Sequence, residues 1–106
     1  MYEVRHYESG GHDFVQEWLD GVRDQRARIA ALRRIDQIES GGFGDHKYVG
    51  DGVWELRVDV GVGYRIYYAI RGRRMVLVLC GGDKRTQQAD IKLARKLRRE
   101  SRRGEQ

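Results

Sequence analysis

Residues 52–68, GVWELRVDVGVGYRIYY, decide how this chain folds. Side chains alternate across a strand, so the stretch sorts into two sets. Trp54, Leu56, Val58 and Val60 fall on one side, with Glu55, Arg57 and Asp59 on the other. After the glycines, Tyr64, Ile66, Tyr68 and Ile70 form one set, opposed by Arg65, Tyr67 and Ala69. The pattern is that of a β-hairpin. A two-residue loop at Gly61-Val62 would set Arg57 opposite Ile66, mixing charge with the apolar set. A three-residue loop over residues 61–63 pairs Val60 with Tyr64, Val58 with Ile66, Leu56 with Tyr68 and Trp54 with Ile70. It also sets Asp59 beside Arg65 and Arg57 beside Tyr67. A one-residue slip moves a whole set to the wrong side, so the three-residue loop is the expected register. Gly63 suits the positive φ on which such loops end. One apolar face and one face of arginines, carboxylates and a tyrosine result.

Working outward, residues 2–8 alternate and predict a short strand, broken at Ser9-Gly10-Gly11. Asp13 or Ser9 is placed to cap a helix bearing Phe14, Val15, Trp18, Leu19 and Val22 at helical spacing. Gly21 is expected to turn the chain into a second helix from Asp24, with Ala27, Ala30, Ala31, Ile35 and Ile38 on one stripe. Ser40-Gly41-Gly42 stops it. These two helices are expected to form an antiparallel hairpin packed on the sheet. A short extended piece at residues 47–49 precedes the β-hairpin. Beyond it, Gly72-Arg73 reads as a two-residue turn, which would put Val76, Val78 and Cys80 on the face of Arg65 and Tyr67. Residues 75–80, MVLVLC, are continuously apolar, as in a central strand covered on both faces. The chain is then expected to leave the sheet at Gly81-Gly82-Asp83-Lys84. Thr86 is placed to cap a last helix with a narrow stripe of Ile91, Leu93, Ala94 and Leu97, expected to be basic and frayed from about residue 98. The predicted class is α+β: a small antiparallel sheet, an N-terminal helical hairpin and a C-terminal helix, in the order β-α-α-β-β-β-α.

The composition agrees with one globular domain over residues 1–106. The chain has 40% hydrophobic residues, no proline and a formal charge of +5. That charge favours a polyanionic partner. No apolar run approaches a membrane span, and the N-terminus MYEVRHYES is too polar for a secretory signal, so a cytoplasmic protein is expected. A single cysteine, Cys80, suits a reducing compartment. His6, His12, His46 and Cys80 show no metal-ligand spacing, so neither metal nor other cofactor is expected.

The polar side of the hairpin suits a phosphodiester. Arg57 and Arg65 lie on neighbouring strands, Lys84 follows the next strand and Lys47 precedes the first. Guanidinium groups bind phosphate oxygens and stabilise the charge that gathers in a pentacovalent transition state. RNA carries its own nucleophile, the 2′-hydroxyl. Against this stand plainer readings. Asp59 with Arg65 is an ordinary cross-strand ion pair, Glu55 a neutraliser of Arg57, Tyr67 a rim aromatic, and the basic helix a solvated face. That helix, with Arg85, Lys92, Arg95 and Lys96, is otherwise an RNA-tracking surface, and His46 a loop residue or an acid/base on the same face.

The chain resembles the RelE/ParE superfamily of toxin–antitoxin toxins, in particular the HigB-like branch of phage-derived addiction-module killer proteins. The resemblance rests on Phe14-x-x-x-Trp18-Leu19, Gly42-Phe43-Gly44-Asp45-x-Lys47, Gly52-Val53-Trp54-Glu55-Leu56-Arg57 and Gly61-x-Gly63-Tyr64-Arg65-x-Tyr67-Tyr68. It continues in Gly81-Gly82-Asp83-Lys84-x-Thr86-Gln87-x-x-Asp90-Ile91-x-x-Ala94. It implies a messenger-RNA endoribonuclease acting in the ribosomal A site. A cognate helix-turn-helix antitoxin would hold the toxin in a hetero-oligomer. The resemblance aligns Arg65 with the arginine at the scissile phosphate, Arg57 and Lys84 with its support, and Lys47 with a basic residue ahead of the hairpin. Many such ribonucleases carry a tyrosine or histidine near the C-terminus as acid/base, and this chain has neither after Tyr68. Proton transfer is thereby left to Tyr67, His46, a lysine whose charge neighbouring cations disfavour, or water. A topoisomerase inhibitor of the ParE kind and a non-catalytic nucleic-acid-binding module are the rival functions.

Overall fold

A computed structural model describes residues 1–104, so the end of the expected domain, residues 105 and 106, lies outside them. The elements run β1 (Glu3–His6), β2 (Glu8–Ser9), β3 (His12–Asp13), α1 (Phe14–Gly21), α2 (Gln25–Ile38), β4 (His46–Gly50), β5 (Val53–Val58), β6 (Tyr64–Arg71) and β7 (Met75–Asp83). A single 3-10 turn (Lys84–Thr86) and α3 (Gln87–Arg103) follow. The α+β class holds, but the order departs from the one expected. Ser9-Gly10-Gly11 is not simply a break. Gly10 and Gly11, both at positive φ, make the two-residue turn of a small β2–β3 ribbon.

β7 lies inside a five-stranded sheet of order β1-β7-β6-β5-β4. β1 runs parallel to β7, so the sheet is mixed, not wholly antiparallel. Asp13 caps α1 by accepting from the Gln16 N–H, and Asp24 caps α2 by accepting from the Arg26 and Ala27 N–H groups. Both helices pack on one face of the sheet. Val15, Leu19, Ala31, Ile35 and Ile38 meet Leu56, Val58, Ile66, Tyr68, Val76 and Val78 there. On the other face α3 lays Ala94 and Leu97 over Val53, Tyr67, Ala69, Leu77, Leu79 and Cys80. Covered on both sides, the MVLVLC run is the central strand its composition predicts.

The register of the hairpin differs from the expected one by two residues. Trp54 pairs with Tyr68, Leu56 with Ile66 and Val58 with Tyr64, while Glu55 faces Tyr67 and Arg57 faces Arg65. The connection is residues 59–63, closed by a bond from the Gly63 N–H to the Val60 carbonyl at 3.1 Å, with Gly61 and Gly63 at positive φ. A shift of two keeps each set on its own face and changes every neighbour. Asp59 is thereby left outside the ladder.

The β6–β7 turn takes three residues, not the expected two, since Arg71 pairs with Met75. Val76 and Val78 therefore join the Ile66 face, contrary to expectation. Cys80 reaches the Tyr67 face through a bulge that skips Leu79. Past the bulge the strand continues through Gly81 and Gly82 instead of leaving the sheet. A Cβ on Gly81 would come within 2.2 Å of the Trp18 ring, and one on Gly82 within 1.8 Å of an Asp90 oxygen. The glycine pair lets a helix approach each face closely. α3 is helical past residue 98. It runs to Arg103, with Ser101 buried and Glu100 accepting a 2.6 Å hydrogen bond from Ser9.

Candidate functional site: a cation cleft over a buried carboxylate

β5 and β6 direct Glu55, Arg57, Arg65 and Tyr67 to the α3 side of the sheet. Arg57 and Arg65 are directly opposite, a like-charge pair that costs stability unless something compensates it. Glu55, wholly buried, compensates it. Its Oε1 lies 3.3 Å from Arg65 Nε and 3.6 Å from Arg57 Nε. Neither approach has hydrogen-bond geometry, so these are charge contacts. The two cations outnumber this buried carboxylate, while Asp45 and Asp59 lie at the exposed edge of the group. The Arg65 side chain is 11% exposed and that of Arg57 40%, so each is drawn in at its base.

The other oxygen of Glu55 is held by two donors, the Tyr67 hydroxyl at 3.0 Å and the Gln87 amide at 2.9 Å. Burial, and then the Glu55 charge, push the Tyr67 phenol far above the usual tyrosine range. Tyr67 therefore stays protonated and donates to Glu55. On the opposite side, α2 contributes Arg34, whose guanidinium donates to the backbone carbonyls of Arg57 at 3.1 Å and Asp45 at 3.0 Å. Asp45 also stands 3.8 Å from the Arg57 guanidinium. Arg57, Arg65 and Lys84 converge on one cleft of about 220 Å³, completed by Asp45, Val58, Asp59, Gly63 and Tyr64. Its cations suit a phosphate group.

Residues 17–100 match the family described as "Phage derived protein Gp49-like (DUF891)". The chain belongs to this family. A Haemophilus influenzae protein named "Uncharacterized protein" is 46% identical over 83 residues, covering 78% of this chain and 84% of that relative. The Gp49-like proteins are the addiction-module killer family, which at the family level accords with the toxin of a toxin–antitoxin system. The matched span takes in Glu55, Arg57, Arg65, Tyr67, Lys84 and Gln87.

The remaining residues singled out from the sequence are scattered over this Gp49-like fold. Lys47, opposite Glu55 on edge strand β4, is exposed on the cation side but does not line the cleft. Tyr67 is sealed from solvent, not a rim aromatic. His46 is on the opposite face, 5.2 Å from Trp54 and 5.8 Å from Phe43 between ring centroids, because its partner Leu56 points that way. Arg85 folds back onto Asp83 at 2.9 Å, a contact that holds the Asp83 carboxyl below its usual range. Arg95 donates to the Val49 carbonyl and pins the β4–β5 turn. Lys92 and Lys96 are exposed on α3.

Among the described residues no three His, Cys, Asp or Glu gather where a metal ion could sit, and no helix is long and apolar enough to cross a membrane. Gln87 stands in the motif that carries the resemblance but was given no role from the sequence, and Arg34, off the apolar stripe of α2, carries no signal that sets it apart from its arginine neighbours. Glu55 it treated as a local neutraliser, whereas the carboxylate organises the whole cluster.

Proposed function

We propose that this protein is the toxin of a toxin–antitoxin pair and cleaves messenger RNA in the ribosomal A site. We further propose that a helix-turn-helix antitoxin encoded beside it holds it inactive. The observation that supports this reading is the convergence of Arg57, Arg65 and Lys84 over a buried, doubly anchored Glu55. In the reaction, the RNA 2′-oxygen attacks the adjacent phosphorus. A P–O2′ bond forms, the P–O5′ bond breaks, and the products are a 2′,3′-cyclic phosphate and a 5′-hydroxyl. The 2′-hydroxyl proton leaves to a base and the 5′-oxygen takes one up, so no metal or co-reactant is needed. Arg65 and Arg57 bind the non-bridging oxygens and Lys84 meets the developing charge. Glu55, Tyr67 and Gln87 act through the arginines as positioning residues. Proton transfer falls to Lys84 or solvent, because Tyr67 is sealed and His46 faces the other way.

Message cleavage in a translating extract, mapped by primer extension, tests this. Arg65→Ala should lower cleavage by about 10²–10³-fold and restore growth when expressed. A variant that stays fully toxic would refute the assignment. Toxicity with an SOS response and intact messages would point instead to a topoisomerase target.

A further inference from the structure

A second, larger cleft of about 830 Å³ adjoins the cation cleft, and Tyr64 and Lys84 line both. Its walls come from the end of α1, the α1–α2 connection and the β7 end of the sheet. Trp18 and Tyr64 stand at 6.3 Å between ring centroids with their planes inclined by 54°, and both are partly exposed. Val22 and the exposed Val62 add apolar wall. Asp24 and Asp83 line this cleft beside Arg23, Lys84 and Arg85, and Arg85 is already paired with Asp83, whereas next door Arg57 and Arg65 stand directly opposite each other. A phosphate is therefore better served by Arg57, Arg65 and Lys84, while the aromatic and apolar walls suit an uncharged planar group. The volume lies in the usual range for small-molecule sites, about 300–1,000 Å³.

We propose that this cleft is a nucleobase site, in which a base next to the phosphate held by Arg57 and Arg65 packs against Tyr64 and Trp18. The inference rests on the RNA reading above and adds a subsite to it. Base–aromatic contact is tolerant of sequence, since every base presents a π-face. Lys84, shared by the two clefts, holds the backbone between phosphate and base.

The test uses a 2′-O-methyl hexaribonucleotide, which has no free 2′-hydroxyl to attack, carrying 2-aminopurine at each position in turn. At one position the intact protein should quench the fluorophore by stacking. Making that position abasic should weaken binding by about ten- to a hundred-fold, the worth of one base on an aromatic side chain. Tyr64→Leu should abolish this preference for the intact oligomer, while Arg65→Ala should weaken intact and abasic oligomers alike. If wild type binds both equally, or Tyr64→Leu keeps the preference, the base site is wrong and the phosphate cleft stands. If binding of neither oligomer responds to Arg65→Ala, the RNA reading fails and the base site with it. Should Tyr64→Leu lose its fold by circular dichroism, quenching and the abasic comparison in wild type decide alone.

Discussion

The face of the sheet under α1 and α2 is apolar across all its central strands, whereas the face under α3 changes character part-way along. Beneath Ala94 and Leu97 it is as dry as its counterpart, with Ala69, Leu77 and Leu79 buried. At the first residue of α3 it turns polar, where Gln87 reaches Glu55 and the two arginines project beyond it. Both faces come from the same alternating strands. The difference lies in how far the covering helix reaches: beyond the start of α3, charge stays in contact with solvent while its anchor stays dry. A buried carboxylate at such a boundary is costly unless its partners are all present, so the cluster stands or falls as a unit.

Glu55→Ala tests the boundary hardest. It leaves Arg57 opposite Arg65 uncompensated and strips Tyr67 and Gln87 of their acceptor, so unfolding in urea should show a loss of about 3–5 kcal/mol. A variant as stable as wild type would mean that the carboxylate is incidental to the fold.

Tyr67→Phe removes one hydrogen bond to a charged group and should cost about 1.5–3 kcal/mol. It also probes pH. Burial raises the phenols of Tyr67 and Tyr68 in the folded state, which therefore holds its protons more tightly than the unfolded chain. Their contribution to stability is complete below pH 10.0, the ordinary tyrosine value, and is lost as pH rises above it. Stability should decline above that pH, less steeply in Tyr67→Phe; identical slopes would mean that Tyr67 ionises freely.

Gly81→Ala acts on the apolar face, where the new methyl meets the Trp18 ring. A loss of about 1–3 kcal/mol in thermal unfolding is expected, with Arg57 and Arg65 undisturbed. Lys84→Ala is the opposite case. The side chain is exposed, so stability should stay within about 0.5 kcal/mol of wild type while message cleavage falls sharply. If stability fell and cleavage held, Lys84 would belong to the fold and not to the site.

Much of this arrangement was legible in the chain. The period-2 pattern of residues 52–68 assigned Leu56, Ile66 and Tyr68 to the core and Arg57 and Arg65 to one face, and the helical stripes of α2 and α3 pack as their spacing predicts. Three things were not legible. The pairing of Arg57 with Arg65, and not with Tyr67, depends on a loop bond between Gly63 and Val60. The placement of Val76 and Val78 depends on a three-residue turn, and that of Cys80 on a bulge at Leu79. His46 looked able to reach the cations but lies behind the sheet among aromatic rings.

The sequence by itself determined which side chains share a face, because alternation survives a register shift of two residues. It also determined where α1 and α2 begin, since their capping aspartates act within a few residues, whereas Thr86, expected to cap α3, makes no capping bond and donates to Asp90 instead. Only the tertiary structure decided which of the charged groups meet. Glu55 and Gln87 are 32 positions apart, and Arg34 and Arg57 are 23 apart. Contacts of that range carry no local signal: they arise only once two helices close on opposite faces of one sheet, and they turn a row of charges into a cleft with a buried anchor.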